Sequence, residues 1–264
     1  TILLKEIVLD IKNLSVEMPG EEVKAIDLHV VKGEILGIGG LAGQGKIGIA
    51  NGIMGLYKSS GEVFLAGEKL DLNNTEKALE KGLAFVSEDR RGVGLLLDSS
   101  IEHNIIITTM QTKGKFLKRY GFFSQIDKKS MRKHAMKLIE DLDIRCSGPQ
   151  QLTQQLSGGN QQKVCIARAL TLEPDVLLVS EPTRGIDIGA KKLVLDLLVK
   201  LNKELGMTIV MTSSELVALR SICDRIAIIT NGKVEGILLP DASDKEFGLM
   251  MAGEYQKMKS KEAI

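Results

Sequence analysis

Residues 39–49 read GGLAGQGKIGI. Gly40, Gly45 and Lys46 have the spacing of a loop whose backbone N–H groups converge on phosphate oxygens at the start of a helix. Lys46 would add a point charge for the outer phosphates. The residue after that lysine ordinarily carries a hydroxyl for a metal ion, but here it is Ile47, followed by Gly48. From this loop alone, a phosphate cradle and a tight strand-to-helix turn with a surface lysine are equally open. A second stretch, LSGGNQQKV from Leu156 to Val164, offers a hydroxyl and unencumbered N–H groups to an anion at a helix start. In a third, VLLVSEPTRGID, an apolar run ends in Ser180 and Glu181 and turns toward Asp187.

The elements that must position these residues alternate between strand and helix. Strands are expected over Ile7–Val16 and Ile26–Val30, then, past a Lys32–Gly33 turn, over Ile35–Ile38, which runs into the glycine loop. The apolar positions after Lys46 fit a helix face, weakened by Gly48 and Gly52. A hairpin is expected over Gly61–Leu72 with its turn at Ala66–Gly67, then a buried strand at Leu83–Val86. Residues from about Ser99 to Gln155 are polar and helical in pattern, with Met131, Ala135, Leu138, Ile139 and Leu142 on one face. A helix at QQKVCIARAL, a buried strand at Val176–Val179, an amphipathic helix, another buried strand and an Asn231–Gly232 hairpin follow. The tail after Asp241 reads as a terminal helix. This is an α/β chain with a mainly parallel sheet and an inserted helical subdomain.

Bulk properties bound the function. The 264 residues carry 35 Lys and Arg against 34 Asp and Glu, a net charge of +1, so neither nucleic acid nor an anionic membrane is indicated as the main partner. With no Trp, three Tyr and six Phe, base-stacking platforms are not expected to be widespread. Three widely spaced cysteines and no CxxC pair indicate reduced thiols. The three histidines, His29, His103 and His134, lie apart and read as surface or core residues. No apolar run approaches the roughly 18 residues of a membrane helix. The chain opens on Thr1, which suggests processing or a piece of something longer.

Taken in order, the glycine loop, LSGGNQQKV and VLLVSEPTRGID resemble the ATP-binding cassette (ABC) family over nearly the whole chain. FVSEDRRGVGLLLDSSIEHN, EPTRGIDIGAKK and TSSEL are similar to the second cassette of tandem ATPases that power bacterial sugar importers of the ribose, galactose and xylose type. The resemblance implies a P-loop fold with a mainly parallel core sheet, an antiparallel β subdomain and an inserted α-helical subdomain. Residues 1–264 would form one cassette, with the β subdomain and core at about 1–95 and 160–240, the helical subdomain at about 96–159 and a tail at 241–264.

It also implies roles, residue by residue. Gly40, Leu41, Ala42, Gly43, Gln44, Gly45, Lys46, Ile47 and Gly48 would form the nucleotide loop, and Glu181 would be the catalytic carboxylate. Glu88 and Ser214 stand where the family senses the γ-phosphate, both altered. Leu156, Ser157, Gly158, Gly159, Asn160 and Gln161 would complete the site of a partner cassette, and Asp187 would cross to that partner. Ile47 and Ser180 replace the usual Mg²⁺ ligands, so no metal ligand is assigned and Mg²⁺ would act mainly at the partner's site, with ATP as the nucleotide. No aromatic near SVEMPG is present to stack adenine, leaving Val16 or Met18 to pack on the base. The expected reading is a cassette with a degenerate P-loop site and an intact signature.

The implied partners are the N-terminal cassette of the same polypeptide or a second ATPase chain, transmembrane permease subunits and, indirectly, a periplasmic or lipid-anchored sugar-binding protein, without nucleic acid. The implied location is peripheral, on the cytoplasmic face of the inner membrane. The basic run KGKFLKRY, Lys113–Tyr120, could touch a membrane surface but reads first as a solvated loop of the helical subdomain. EDRRG, Glu88–Gly92, is a candidate relay toward the permease. Alternatives are a soluble ABC ATPase not tied to transport and a non-catalytic nucleotide-binding or dimerisation module.

Overall fold

The computed structural model describes residues 5–262. In chain order the elements begin β1 Ile7–Val16, β2 Val23–Val31, β3 Ile35–Gly39, α1 Lys46–Ile53, β4 Ser59–Leu65, β5 Glu68–Lys69, α2 Thr75–Lys81 and β6 Leu83–Val86. Then come α3 Ile101–Lys113, β7 Leu117–Tyr120, β8 Phe123–Ile126, α4 Lys128–Asp141, α5 Gly158–Thr171, β9 Val176–Ser180 and α6 Ile188–Leu205. The chain finishes with β10 Thr208–Thr212, α7 Leu216–Ile222, β11 Arg225–Thr230, β12 Lys233–Leu238, α8 Asp244–Met251 and α9 Tyr255–Glu262. Two compact units result. Among the described residues, one comprises 5–85, Asp175–Glu181 and 199–262; the other comprises Val86–Pro174 and Pro182–Leu198.

The first unit holds two sheets. One is antiparallel in the order β2-β1-β4-β5; the other has the order β12-β11-β3-β10-β9-β6. In the second sheet β3 runs parallel to β10 and β11, and β9 runs parallel to β10. Every residue of β3, β9 and β10 is buried, the signature of strands covered on both faces. Leu9, Ile11 and Val30 of the antiparallel sheet share one core with Leu36, Ile38, Ile49, Ile53, Leu178 and Val210. All eight residues of α1 are buried, and Ile49, Ala50 and Ile53 lie in that core, which is why its sequence shows no clear polar face.

The glycines of α1 have a packing reason. A Cβ at Gly48 would stand 2.1 Å from the Glu21 carbonyl oxygen, and one at Gly52 would stand 2.2 Å from a Val16 methyl. Spaced four apart, they lie on one helix face and let β1 and the β1–β2 loop lie against the helix backbone. Both expected hairpins form with two-residue turns in which each central residue has positive φ: 49° and 81° at Ala66–Gly67, 51° and 74° at Asn231–Gly232.

In the second unit α3 packs on α5 and α4 on α3. A polar knot holds it: Asn104 accepts from the Leu96 N–H at 2.9 Å, and Arg168 donates to the Asn104 carbonyl at 2.8 Å and to its side chain at 2.6 Å. Burial holds the Arg168 guanidinium below its ordinary range. The expected helical face of α4 forms, with Met131, Ala135 and Leu138 buried. Two expectations are corrected. The KGKFLKRY run is not a plain loop, because Leu117–Tyr120 pairs with Phe123–Ile126 as an antiparallel hairpin. Its polar, basic composition hid a two-residue turn opened by Gly121 at φ 61°. The tail forms two helices rather than one, broken at Gly253 with φ 74°, and the first begins with a capping box of Ser243 and Glu246.

Candidate nucleotide site

The buried strand β3 ends at Gly39, and α1 starts at Lys46. Gly45, at φ 108°, makes the final turn into the helix, and a Cβ there would stand 2.5 Å from the Glu22 carbonyl oxygen. The loop is also held from beneath. Gln44 accepts the Asn231 N–H on its side chain and the Gly232 N–H on its carbonyl, each at 2.8 Å. Leu41, Ala42 and Gly43 are exposed, whereas Lys46 is buried, with its Nζ donating to the Leu41 carbonyl at 3.4 Å. A strand, a glycine loop and the N-terminus of a buried helix thus form a fan of N–H groups suited to an oxyanion.

That fan is already engaged. Glu21, in the turn between β1 and β2, accepts the Gly43 N–H on Oε1 at 2.9 Å. Its Oε2 accepts the Gly45 N–H at 2.9 Å and the Ile47 N–H at 3.3 Å. Hydrogen bonds to a charged acceptor contribute about 1.5–3 kcal/mol each. Glu21 was not among the residues expected from sequence. The adjacent acids Glu21 and Glu22 were visible in GEEV, but nothing local ties residue 21 to residue 45.

Glu181 follows β9 and is buried at 6% exposure with a left-handed φ of 48°. Its N–H donates to the Thr212 carbonyl at 2.7 Å. Its Oε1 accepts both the N–H and the hydroxyl of Ser214, at 2.8 and 2.9 Å. The structure therefore brings Glu181 and Ser214 together, and Ser214 fixes the carboxylate's direction. Ser180, fully buried opposite Thr212 in the β9–β10 register, has a hydroxyl without a partner, as does Thr212. The donor set does not fit a Mg²⁺ held by this loop. The Ile47 side chain is apolar and buried, Ser180 brings no charge, and hard cations need oxygen ligands. Among the described residues no group of three or more His, Cys, Asp or Glu is arranged to hold a metal ion.

The adenine expectation changes too. Val16 is 2% exposed and packs into the core toward Gly52, so it cannot meet a base. Met18 is half-buried against the same core.

The remaining expected residues lie in the second unit. Ser157 caps α5, its hydroxyl accepting the Asn160 N–H at 3.4 Å and the Asn160 side-chain amide at 2.9 Å. Ser157 is exposed and Gly158 half-exposed, but Leu156, Gly159 and Gln161 are buried. A Cβ at Gly159 would stand 2.8 Å from that of Ala190. Gln161 turns inward, donating to the Thr153 carbonyl at 3.1 Å and accepting from Arg90 at 3.4 Å. Arg90 also donates to the Arg184 carbonyl at 3.3 Å, and burial lowers its pKa. Asp187 is exposed and accepts the Ala190 N–H at 3.0 Å as the cap of α6. Glu88 is half-buried in the turn after β6.

The family model described as ABC transporter matches residues 23–184. The ribose import ATP-binding protein RbsA of Clostridium perfringens (strain 13 / Type A) is 39% identical over 249 residues, covering 94% of this chain and 48% of the relative. The galactose/methyl galactoside import ATP-binding protein MglA of Treponema pallidum (strain Nichols) is 38% identical over 248 residues, with the same coverage. The xylose import ATP-binding protein XylG of Thermoanaerobacter pseudethanolicus is 38% identical over 247 residues, covering 91% of this chain and 47% of the relative. The chain thus spans about half the length of the curated relatives it matches. A dimeric ATP-binding cassette solved in a post-hydrolysis state bound to ADP and Pi is 27% identical, with a TM-score of 0.71 over 89% of this chain and 100% of that one. A nucleotide-free ATP-binding cassette, 18% identical with a TM-score of 0.74 over 94% and 96% of the two chains, shares the fold. The ordered motifs, the two-sheet architecture with its glycine loop, and these likenesses agree, and the chain belongs to the ABC transporter family.

Proposed function

We propose that this chain is one cassette, residues 1–264, of the ATP-binding subunit of a bacterial sugar importer, and that it is the second cassette of a tandem pair. Cassettes of the family bind ATP, usually with Mg²⁺. In this cassette the loop site is degenerate. The observation that carries the reading is the Glu21 carboxylate lying on the N–H groups of Gly43, Gly45 and Ile47. A phosphate and this carboxylate cannot share those donors. With Ile47 and Ser180 in place of metal ligands, the loop binds nucleotide weakly and Glu181, pinned by Ser214, has no activated phosphoryl group to serve.

The exposed Ser157 and Gly158 at the start of α5 support the other half of the reading. There a hydroxyl and the N–H groups of a helix N-terminus meet the nucleotide of a partner cassette, with Asp187 beside that interface. Hydrolysis, with its Mg²⁺, belongs to the partner's loop. The partners are the N-terminal cassette, permease subunits and, through them, a sugar-binding protein, at the cytoplasmic face of the inner membrane. Taken alone, this chain behaves as a non-catalytic module.

The test measures ATP hydrolysis by the matching N-terminal cassette, alone and mixed with this chain as wild type, Ser157→Arg and Lys46→Ala. Stimulation by wild type and Lys46→Ala but not by Ser157→Arg is expected. Hydrolysis by this chain alone that Lys46→Ala abolishes would overturn the degenerate-site reading.

A further inference from the structure

The chain has nine aromatic residues, and four of them, Phe116, Tyr120, Phe122 and Phe123, fall within eight positions. Three are strongly exposed: Tyr120 at 61%, Phe122 at 104% and Phe123 at 81%. The β7–β8 register explains the arrangement. Leu117 faces Ile126 and Arg119 faces Ser124 on one side; Lys118 faces Gln125 and Tyr120 faces Phe123 on the other. Leu117 and Ile126 are half-buried, so the opposite side turns its two aromatic rings and Lys118 outward. The turn, Gly121–Phe122, projects a third ring beyond both strands.

Charge gathers at the same place. From Lys113 to Lys133 there are eight basic residues and one acid, Asp127, in a chain whose net charge is +1. The neighbouring acids are each paired: Asp127 with Lys118 at 3.7 Å, Glu173 with Lys115 at 3.9 Å and Glu102 with Arg132 at 3.0 Å. Lys128, Lys129, Arg132 and Lys133 line one side of α4 around the exposed Met136. The excess positive charge is therefore not neutralised by the fold.

We infer that the β7–β8 hairpin and the first turns of α4 form a contact surface for an anionic phospholipid bilayer. Phenylalanine rings on a two-residue turn are wholly apolar at their tips and enter the acyl–headgroup boundary of a bilayer. Tyrosine and the lysine heads belong at the headgroup level behind them. No helix among the described residues is long and apolar enough to cross a membrane, so such a contact is peripheral. It acts whether or not the loop binds nucleotide.

The chain has no Trp, so Phe122→Trp places a single fluorescent reporter at the tip. With phosphatidylglycerol–phosphatidylcholine vesicles the emission should shift to the blue and the chain should co-sediment. With phosphatidylcholine alone, or in 0.5 M salt, binding should fall about 10-fold or more, following the screening of surface charge. Lys128→Glu/Lys129→Glu and Phe122→Ser/Phe123→Ser should each cause a comparable loss while far-UV circular dichroism stays unchanged. Unshifted emission and no binding to either vesicle would overturn the proposal and assign the hairpin to a protein partner. Binding equal on both vesicles would overturn the anionic requirement.

Discussion

Replacing Glu21 by Gln keeps its length while removing the charge that attracts three loop N–H groups. Nucleotide affinity, read by titration calorimetry, should then rise about 10-fold or more, equivalent to about 1.4 kcal/mol. An affinity no different from wild type would show that the carboxylate does not compete. Ser214→Ala removes the hydroxyl hydrogen bond to the buried Glu181 carboxylate and leaves the one from the backbone N–H. It should lower stability by about 1–3 kcal/mol in chemical denaturation. Ile47 and Ser180 were legible in the sequence because a fixed spacing makes a missing hydroxyl or carboxylate conspicuous. Glu21 was not, since it reaches the loop only after β1 and β2 have paired. Val16 misled for a related reason: strand alternation does not say which face meets α1.

At the scale of elements, the contact of α1 with β1 and its following loop governs the site. Gly48→Val or Gly52→Val would drive a side chain into the Glu21 carbonyl or the Val16 methyls. Each should destabilise by about 1–3 kcal/mol or more, read as a fall in melting temperature. In the sequence these glycines looked like helix breakers; their spacing of four marks a close approach instead. On α4, His134 contacts the Thr171 hydroxyl at 2.9 Å and the Phe116 ring at 5.1 Å, and burial lowers its pKa from about 6.5. The unfolded chain therefore takes up this proton at higher pH than the folded one. Stability should fall as pH drops below about 6.5 and level off beneath the folded pKa, a slope that His134→Gln should flatten in pH-dependent melts. The β7–β8 hairpin escaped sequence reading because its strands are only four residues long and β7 carries Lys118 and Arg119 where strands usually carry β-branched residues.

For the whole molecule, the alternation of strands and helices was enough to give the α/β class and the parallel core, since short, mostly apolar runs such as β3, β9 and β10 have no other place. The boundary between the compact units was less legible, because α6 begins in one and ends in the other. The thiols report on the integrity of both. Cys165 and Cys223 are buried and burial raises both pKa values, that of Cys165 to about 11, whereas Cys146 is half-exposed. A thiol reagent at pH 8 should modify one of the three cysteines in the folded chain and all three in denaturant. Glu21 also has a consequence for mass action. A carboxylate tethered by a short turn is present at its binding place at an effective concentration of about millimolar or more, however dilute the protein. Free nucleotide must outcompete it, so the melting temperature should stay level as ATP is raised, where an ordinary ligand would lift it with the logarithm of its concentration. The loop therefore keeps its shape when the supply of nucleotide fails, with an anion that cannot diffuse away.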